Sequence, residues 1–74
     1  MTIDQLRKVH QATPFRPFTL QIADGNEVHV PHPEFLWFPP QGSRTIFVAT
    51  PGQEGVKIID LLLVASIELG DGKP

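Results

Sequence analysis

Residues 18–30, FTLQIADGNEVHV, constrain the fold more than any other stretch of this 74-residue chain. Phe18, Leu20 and Ile22 alternate with Thr19 and Gln21, and Val28 and Val30 alternate with Glu27 and His29. A period of two is that of a half-buried β-strand. Between the two runs, Ala23-Asp24-Gly25-Asn26 supplies turn residues, with Gly25 free to take a positive φ. The stretch predicts an antiparallel hairpin, and the rest of the chain has to be built around it.

Before the hairpin the period is helical. Thr2 and Gln5 form a Thr-x-x-Gln capping box, and Ile3, Leu6, Val9 and His10 fall on one helical face. Arg7 and Lys8 suit the C-terminal end of the helix dipole, and Pro14 stops the helix. A short helix is expected over about Ile3–Ala12, with Pro14-Phe15-Arg16-Pro17-Phe18 as a stiff joint carrying two core aromatics. After the hairpin, Pro31 and Pro33 interrupt pairing, since neither can donate to a ladder. Glu34–Phe38 is either a continued strand after a bend or a short helical turn. Strands are expected over Thr45–Ala49 and Val56–Asp60, with loops over 39–43 and 50–55. Leu61–Val64 either extends the preceding strand or forms one 3₁₀ turn. Ala65, Ile67 and Leu69 then alternate with Ser66 and Glu68.

The sum is a mainly β fold of about five short strands with an N-terminal helix. So small a sheet removes its exposed edges by curling, and a strand, 3₁₀ turn and strand at the end is a feature of SH3-like barrels. The expectation is a small SH3-like (Sm-like) barrel forming one domain over residues 1–69, with 70–74 a flexible tail.

The stretches MTIDQLRKVHQATPFRPFTL, ADGNEVHVPHPEF and IIDLLLVASIEL together resemble a family of short bacterial proteins to which no activity is assigned. The likeness covers residues 1–69 and implies a single domain without implying a mechanism. Set against Sm-like RNA binders, Leu62-Leu63-Val64 stands where the Lys-His pair of the bacterial RNA pocket would be expected.

A chain this short buries only about 60% of the surface its unfolded form exposes. It has no cysteine, so disulfides, thiolate metal sites and a cysteine nucleophile are excluded. Packing, metal held through His and carboxylate, and self-association remain as sources of stability. The net charge is −2, and the basic residues Arg7, Lys8, Arg16, Arg44, Lys57 and Lys73 are scattered rather than gathered in a stripe. The longest aliphatic run, Leu61–Ala65, is far short of the roughly 20 residues of a membrane span, and no signal-peptide layout opens the chain. A cytoplasmic protein with no membrane partner is expected.

In HVPHPEF, residues 29–35, His29, His32 and Glu34 are weak candidate metal ligands. Each also has a separate explanation. His29 holds a polar strand position, His32 sits between prolines, and Glu34 can cap the next turn. No metal and no cofactor is therefore expected. Asp24, Glu27, His29, His32, Glu34 and Asp60 form no motif for acid–base work, and neither Ser43 nor Ser66 has a His and an acid at motif spacing. Gly52 and Gly55 lack the Lys-Ser/Thr of a phosphate loop. Catalysis is not expected.

Phe35-Leu36-Trp37-Phe38 is different. On a strand, Phe35 and Trp37 would share one face and Leu36 and Phe38 the other, so one pair is surplus to the core. Leu61-Leu62-Leu63-Val64 also exceeds what one core face uses. Phe35, Trp37 and Leu62 are thus the candidate interface residues of a non-catalytic module that binds a protein partner or assembles with itself. The alternative is an Sm-like ring that binds single-stranded nucleic acid, with Arg16, Arg44 and Lys57 on phosphates. A minor metal site at His29, His32 and Glu34 is a second alternative.

Overall fold

The computed structural model describes residues 2–40, 44–50, 52 and 54–70. Of the expected tail, residues 71–74 lie outside them, as do parts of the loops at 41–43, 51 and 53.

The helix α1 spans Ile3–His10, and its N-terminus has the anticipated box. The Gln5 N–H donates to Thr2 Oγ1 at 3.2 Å, and the Thr2 N–H donates to Gln5 Oε1 at 3.0 Å. The helix stops two residues before the expected end, capped by Gln11, whose N–H donates to the Arg7 carbonyl. Leu6 is its fully buried residue, with Ile3 and Val9 packed beside it.

Six strands follow: β1 (Phe18–Ile22), β2 (Glu27–Val30), β3 (Leu36–Trp37), β4 (Thr45–Ala49), β5 (Val56–Asp60) and β6 (Val64–Leu69). They form two antiparallel sheets of three strands, ordered β2-β1-β6 and β3-β4-β5. No ladder among the described residues joins the two sheets into a closed barrel. The hairpin has the expected bounds, and Gly25 in its turn takes φ +95°.

The ambiguous stretches resolve as mixtures. Pro33–Phe35 is a 3₁₀ turn leading into the two-residue β3. Leu61–Leu63 is a second 3₁₀ turn leading into β6. In β6 the expected phase is only partly kept. Ile22 pairs with Val64 and Gln21 with Ser66, so Ala65 is bulged and Val64 turns inward in its place. Ile67 is half-buried against the core, while Leu69 at the strand end is exposed.

The inner faces of the two sheets meet across one core. Phe18, Leu20, Val28 and Val30 come from one sheet, and Leu36, Ile46 and Val48 from the other. Leu6, Leu61 and Val64 complete it. No helix is long and apolar enough to cross a membrane, among the described residues.

Candidate functional site

Residues directly opposite in an antiparallel pair project to the same face. The register therefore fixes what each sheet shows on its outer side. In β2-β1-β6, Thr19 stands opposite His29 and Glu68, and Gln21 stands opposite Glu27 and Ser66. This face is polar throughout and internally bonded. The Thr19 hydroxyl and His29 Nδ1 share a hydrogen bond of 2.9 Å, and Gln21 Nε2 donates to Glu27 Oε2 at 2.6 Å.

The outer side of β3-β4-β5 is apolar over most of its length, with the Thr45 and Asp60 pair at one end of it. Phe47 stands opposite both Trp37 and Ile58, so the three form one row across all three strands. Ala49 opposite Val56 extends it. Ile58 is 70% exposed, Val56 51% and Trp37 46%. A face of this kind is what an antiparallel sheet keeps polar when water is its only neighbour.

The apolar surface continues past the end of β5. In the 3₁₀ turn, Leu61 points into the core while Leu62 and Leu63 are exposed. Leu63 and Ile58 border the same groove, of about 340 Å³, whose lining also takes in the charged Asp24, Lys57 and Asp60.

The sequence candidates separate. Trp37 and Leu62 are both exposed, Trp37 in the row with Phe47 and Ile58 and Leu62 in the 3₁₀ turn. Phe35 does not join them: it is half-buried against the core, with its ring 6.0 Å from that of His32. Its place in a 3₁₀ turn breaks the period of two from which a face shared with Trp37 was expected. Phe47, Val56 and Ile58 were missed. Their signal lay in the pairing of β4 with β5, because VKIID alone does not say which of its apolar residues face inward.

The HVPHPEF residues are also dispersed. His29 is held by Thr19, whereas His32 and Glu34 are exposed. Among the described residues, no group of three or more His, Asp or Glu side chains converges to hold a metal ion. His10 has the more constrained ring. Its Nε2 donates to the Pro33 carbonyl at 2.8 Å, and its edge meets the Phe38 ring at 5.3 Å. Its buried Nδ1 has no hydrogen-bond partner among the described residues.

Of the three cations proposed for phosphates, Arg16 and Lys57 are exposed and Arg44 is engaged. Arg44 Nε lies 3.2 Å from the Asp60 carboxylate. Asp60 Oδ1 also accepts the Leu62 N–H at 2.9 Å, capping the 3₁₀ turn. The Leu62 N–H is the main cause holding the Asp60 carboxyl below its ordinary value of 3.8. Partial desolvation opposes it, and the Arg44 guanidinium adds to the lowering. A lowered folded-state value stabilises the protein above the ordinary value and ceases to do so as pH falls through the lowered one. Wild type is therefore expected to be more stable than Asp60→Asn at neutral pH, with the gap closing in acid. Urea melts of both proteins across that range check this; a gap independent of pH contradicts it.

No protein-family model matches the chain, and neither does a curated protein or a solved structure.

Proposed function

We propose that this chain is a non-catalytic interaction module, built on a small SH3-like barrel and working through its apolar side. The observation that carries the reading is the contrast between the two outer faces. One is polar and bonded to itself, and the other carries a row in which Trp37 and Ile58, on either side of a half-buried Phe47, are left to solvent. Exposed aromatic and aliphatic side chains grouped on one side are the composition of a protein-binding surface. The barrel assignment is supported by strand order. A hairpin feeds three further antiparallel strands, and a 3₁₀ turn then returns the chain to pair with β1.

The non-catalytic part of the reading rests on how the groups near the groove are used. Both Asp24 oxygens accept from Asn26, and Asp60 serves Leu62 and Arg44. The engagement of Arg44 also weighs against the nucleic-acid alternative.

The test uses the immobilised full chain as bait, offered a cell extract and a differently tagged copy of itself. Wild type is expected to retain a protein that Trp37→Ser and Leu62→Asp lose, with all three equally folded by circular dichroism. Equal retention by wild type and both variants overturns the proposal.

A further inference from the structure

Resting on the interaction-module reading, we infer that the free edge of β5 takes an added strand. The occupant is an extended segment of another protein, antiparallel to β5, that reads apolar, apolar, acidic.

The backbone is the first argument. β5 pairs with β4, and no strand among the described residues lies on its other side. The Leu61 N–H donates to the Arg44 carbonyl, one step beyond the Thr45–Asp60 pair, so Arg44 and Leu61 are a hydrogen-bonded pair of that ladder. Such pairs alternate with unbonded ones along an antiparallel ladder. Ile46–Ile59 and Val48–Lys57 are therefore bonded, whereas Phe47–Ile58 and Ala49–Val56 are not. The N–H and C=O of Val56 and Ile58 thus point away from β4. No turn or loop bond among the described residues reaches them. A row of this kind is a template for one more strand.

The groove is the second argument. Its near wall is formed by residues 57–60, consecutive along β5. Successive side chains on a strand point to opposite faces, so a groove that touches all of them runs along the strand's edge. Ile22, Val28 and Leu63 line its far side. The free backbone groups thus adjoin a hollow of about 340 Å³, which has room for the side chains that an added strand turns inward.

Charge selects the occupant. Lys57 stands opposite buried Val48 and Ile59 opposite buried Ile46, so both belong to the inward side of β5. Lys57 is exposed, and no described carboxylate lies within ion-pair reach of it. The neighbouring acids are engaged or apart. Asp24 accepts from Asn26, and Asp60 is held by Arg44 and the Leu62 N–H. Glu54 borders a second hollow with Lys57 but makes no ion pair with it. A second β5 laid edge to edge about Ile58 would set Lys57 against Ile59 and leave its charge unpaired in both copies. An edge lysine resists such pairing, and an acid opposite it removes the obstacle. In an antiparallel addition the successive places face Ile59, Ile58 and Lys57. The first turns into the groove beside Ile22, Val28 and Leu63. The second extends the Trp37–Phe47–Ile58 row by one strand, and the third carries the acid.

The experiment is an NMR titration of the isotope-labelled full chain with the capped peptide Thr-Val-Val-Glu-Thr, up to millimolar concentration. The amide signals of Val56 and Ile58 are expected to shift most. Methylating the backbone nitrogen of the third peptide residue, which faces Ile58, should weaken binding about tenfold or more, because it leaves the Ile58 carbonyl unpaired. Methylating the second or the fourth, whose N–H groups point away from β5, should leave binding nearly unchanged. Lys57→Glu should weaken the original peptide about tenfold, and a lysine in the fourth place of the peptide should restore it. Because Lys57 lies at the surface, loss of folding is not expected, and circular dichroism checks it. No shift at Val56 and Ile58 with any of these peptides overturns the added strand. Equal effects of the three methylations overturn the backbone pairing, and the reversed pattern overturns its antiparallel direction. Binding indifferent to the charge exchange overturns the selection by Lys57. Concentration-dependent shifts along β5 without peptide overturn the choice of another protein over a second copy. In each case the module reading stands if the bait still retains a protein through Trp37 and Leu62, and falls if it retains none.

Discussion

Phe18→Ala is expected to leave much of the protein unfolded at 25 °C. Phe18 is wholly buried and lies on the central strand of its sheet, paired with Val30 on one side and Leu69 on the other. Its ring sits 5.9 Å from that of Phe15, so the residue also ties the Pro14–Phe18 joint to the core. Truncating a buried Phe costs about 3–5 kcal/mol. A chain of this length has about 4–11 kcal/mol in total, and this one has no disulfide to raise it. The loss therefore falls within the range of the whole. Urea denaturation followed by circular dichroism and by Trp37 fluorescence measures it; a variant within about 1 kcal/mol of wild type would mean that the core can close over the gap.

The second large effect separates two neighbours. Leu61→Ala should cost about 2–5 kcal/mol, whereas Leu62→Ala should stay within about 0.5 kcal/mol of wild type. Leu61 is 2% exposed and Leu62 67%, though they are adjacent in one 3₁₀ turn. At about 4–8 °C per kcal/mol for a domain of this size, the first melts roughly 10 °C or more below wild type. Thermal melts of the two variants side by side give the comparison. Equal melting temperatures would contradict the orientation of the turn.

The hairpin, β4 and β5 were legible in the sequence because alternation and turn residues agree there. Gly25 between Ile22 and Glu27 leaves one register for the pairing, and the inward set follows from it. Legibility failed where local pattern and tertiary contact part company. Phe35-Leu36-Trp37-Phe38 has no period, so whether Phe35 follows strand or 3₁₀ geometry was decided by Pro33 and by packing against the core. In β6 a single bulged residue, Ala65, shifted the phase at the start of the strand, while Ile67 kept the inward place that the sequence suggested. The apolar face was half legible. Trp37 and Leu62 stood out as surplus apolar residues in their runs. Ile58 did not, because nothing in VKIID distinguishes it from Ile59. Only the ladder, Phe47 to Ile58 and Ile46 to Ile59, assigns one outward and the other inward.

The chain passes from one sheet to the other at two joints, 31–35 and 61–63, and both are strapped. At the first, His10 bonds the Pro33 carbonyl and abuts Phe38, while the Arg7 guanidinium stands 5.1 Å over the same ring. At the second, Asp60 holds the Leu62 N–H, and the Leu61 N–H donates to the Arg44 carbonyl at 2.8 Å. A two-sheet molecule with loose joints would flex like a hinge, and a partner would have to arrest that motion on binding. Braced at both, the molecule presents the Trp37–Phe47–Ile58 row as a rigid plate, so little freedom is left to be lost on contact. The eight-residue helix thus acts as a cross-brace as well as a cover for the core, fixing the angle at which the plate meets whatever it touches.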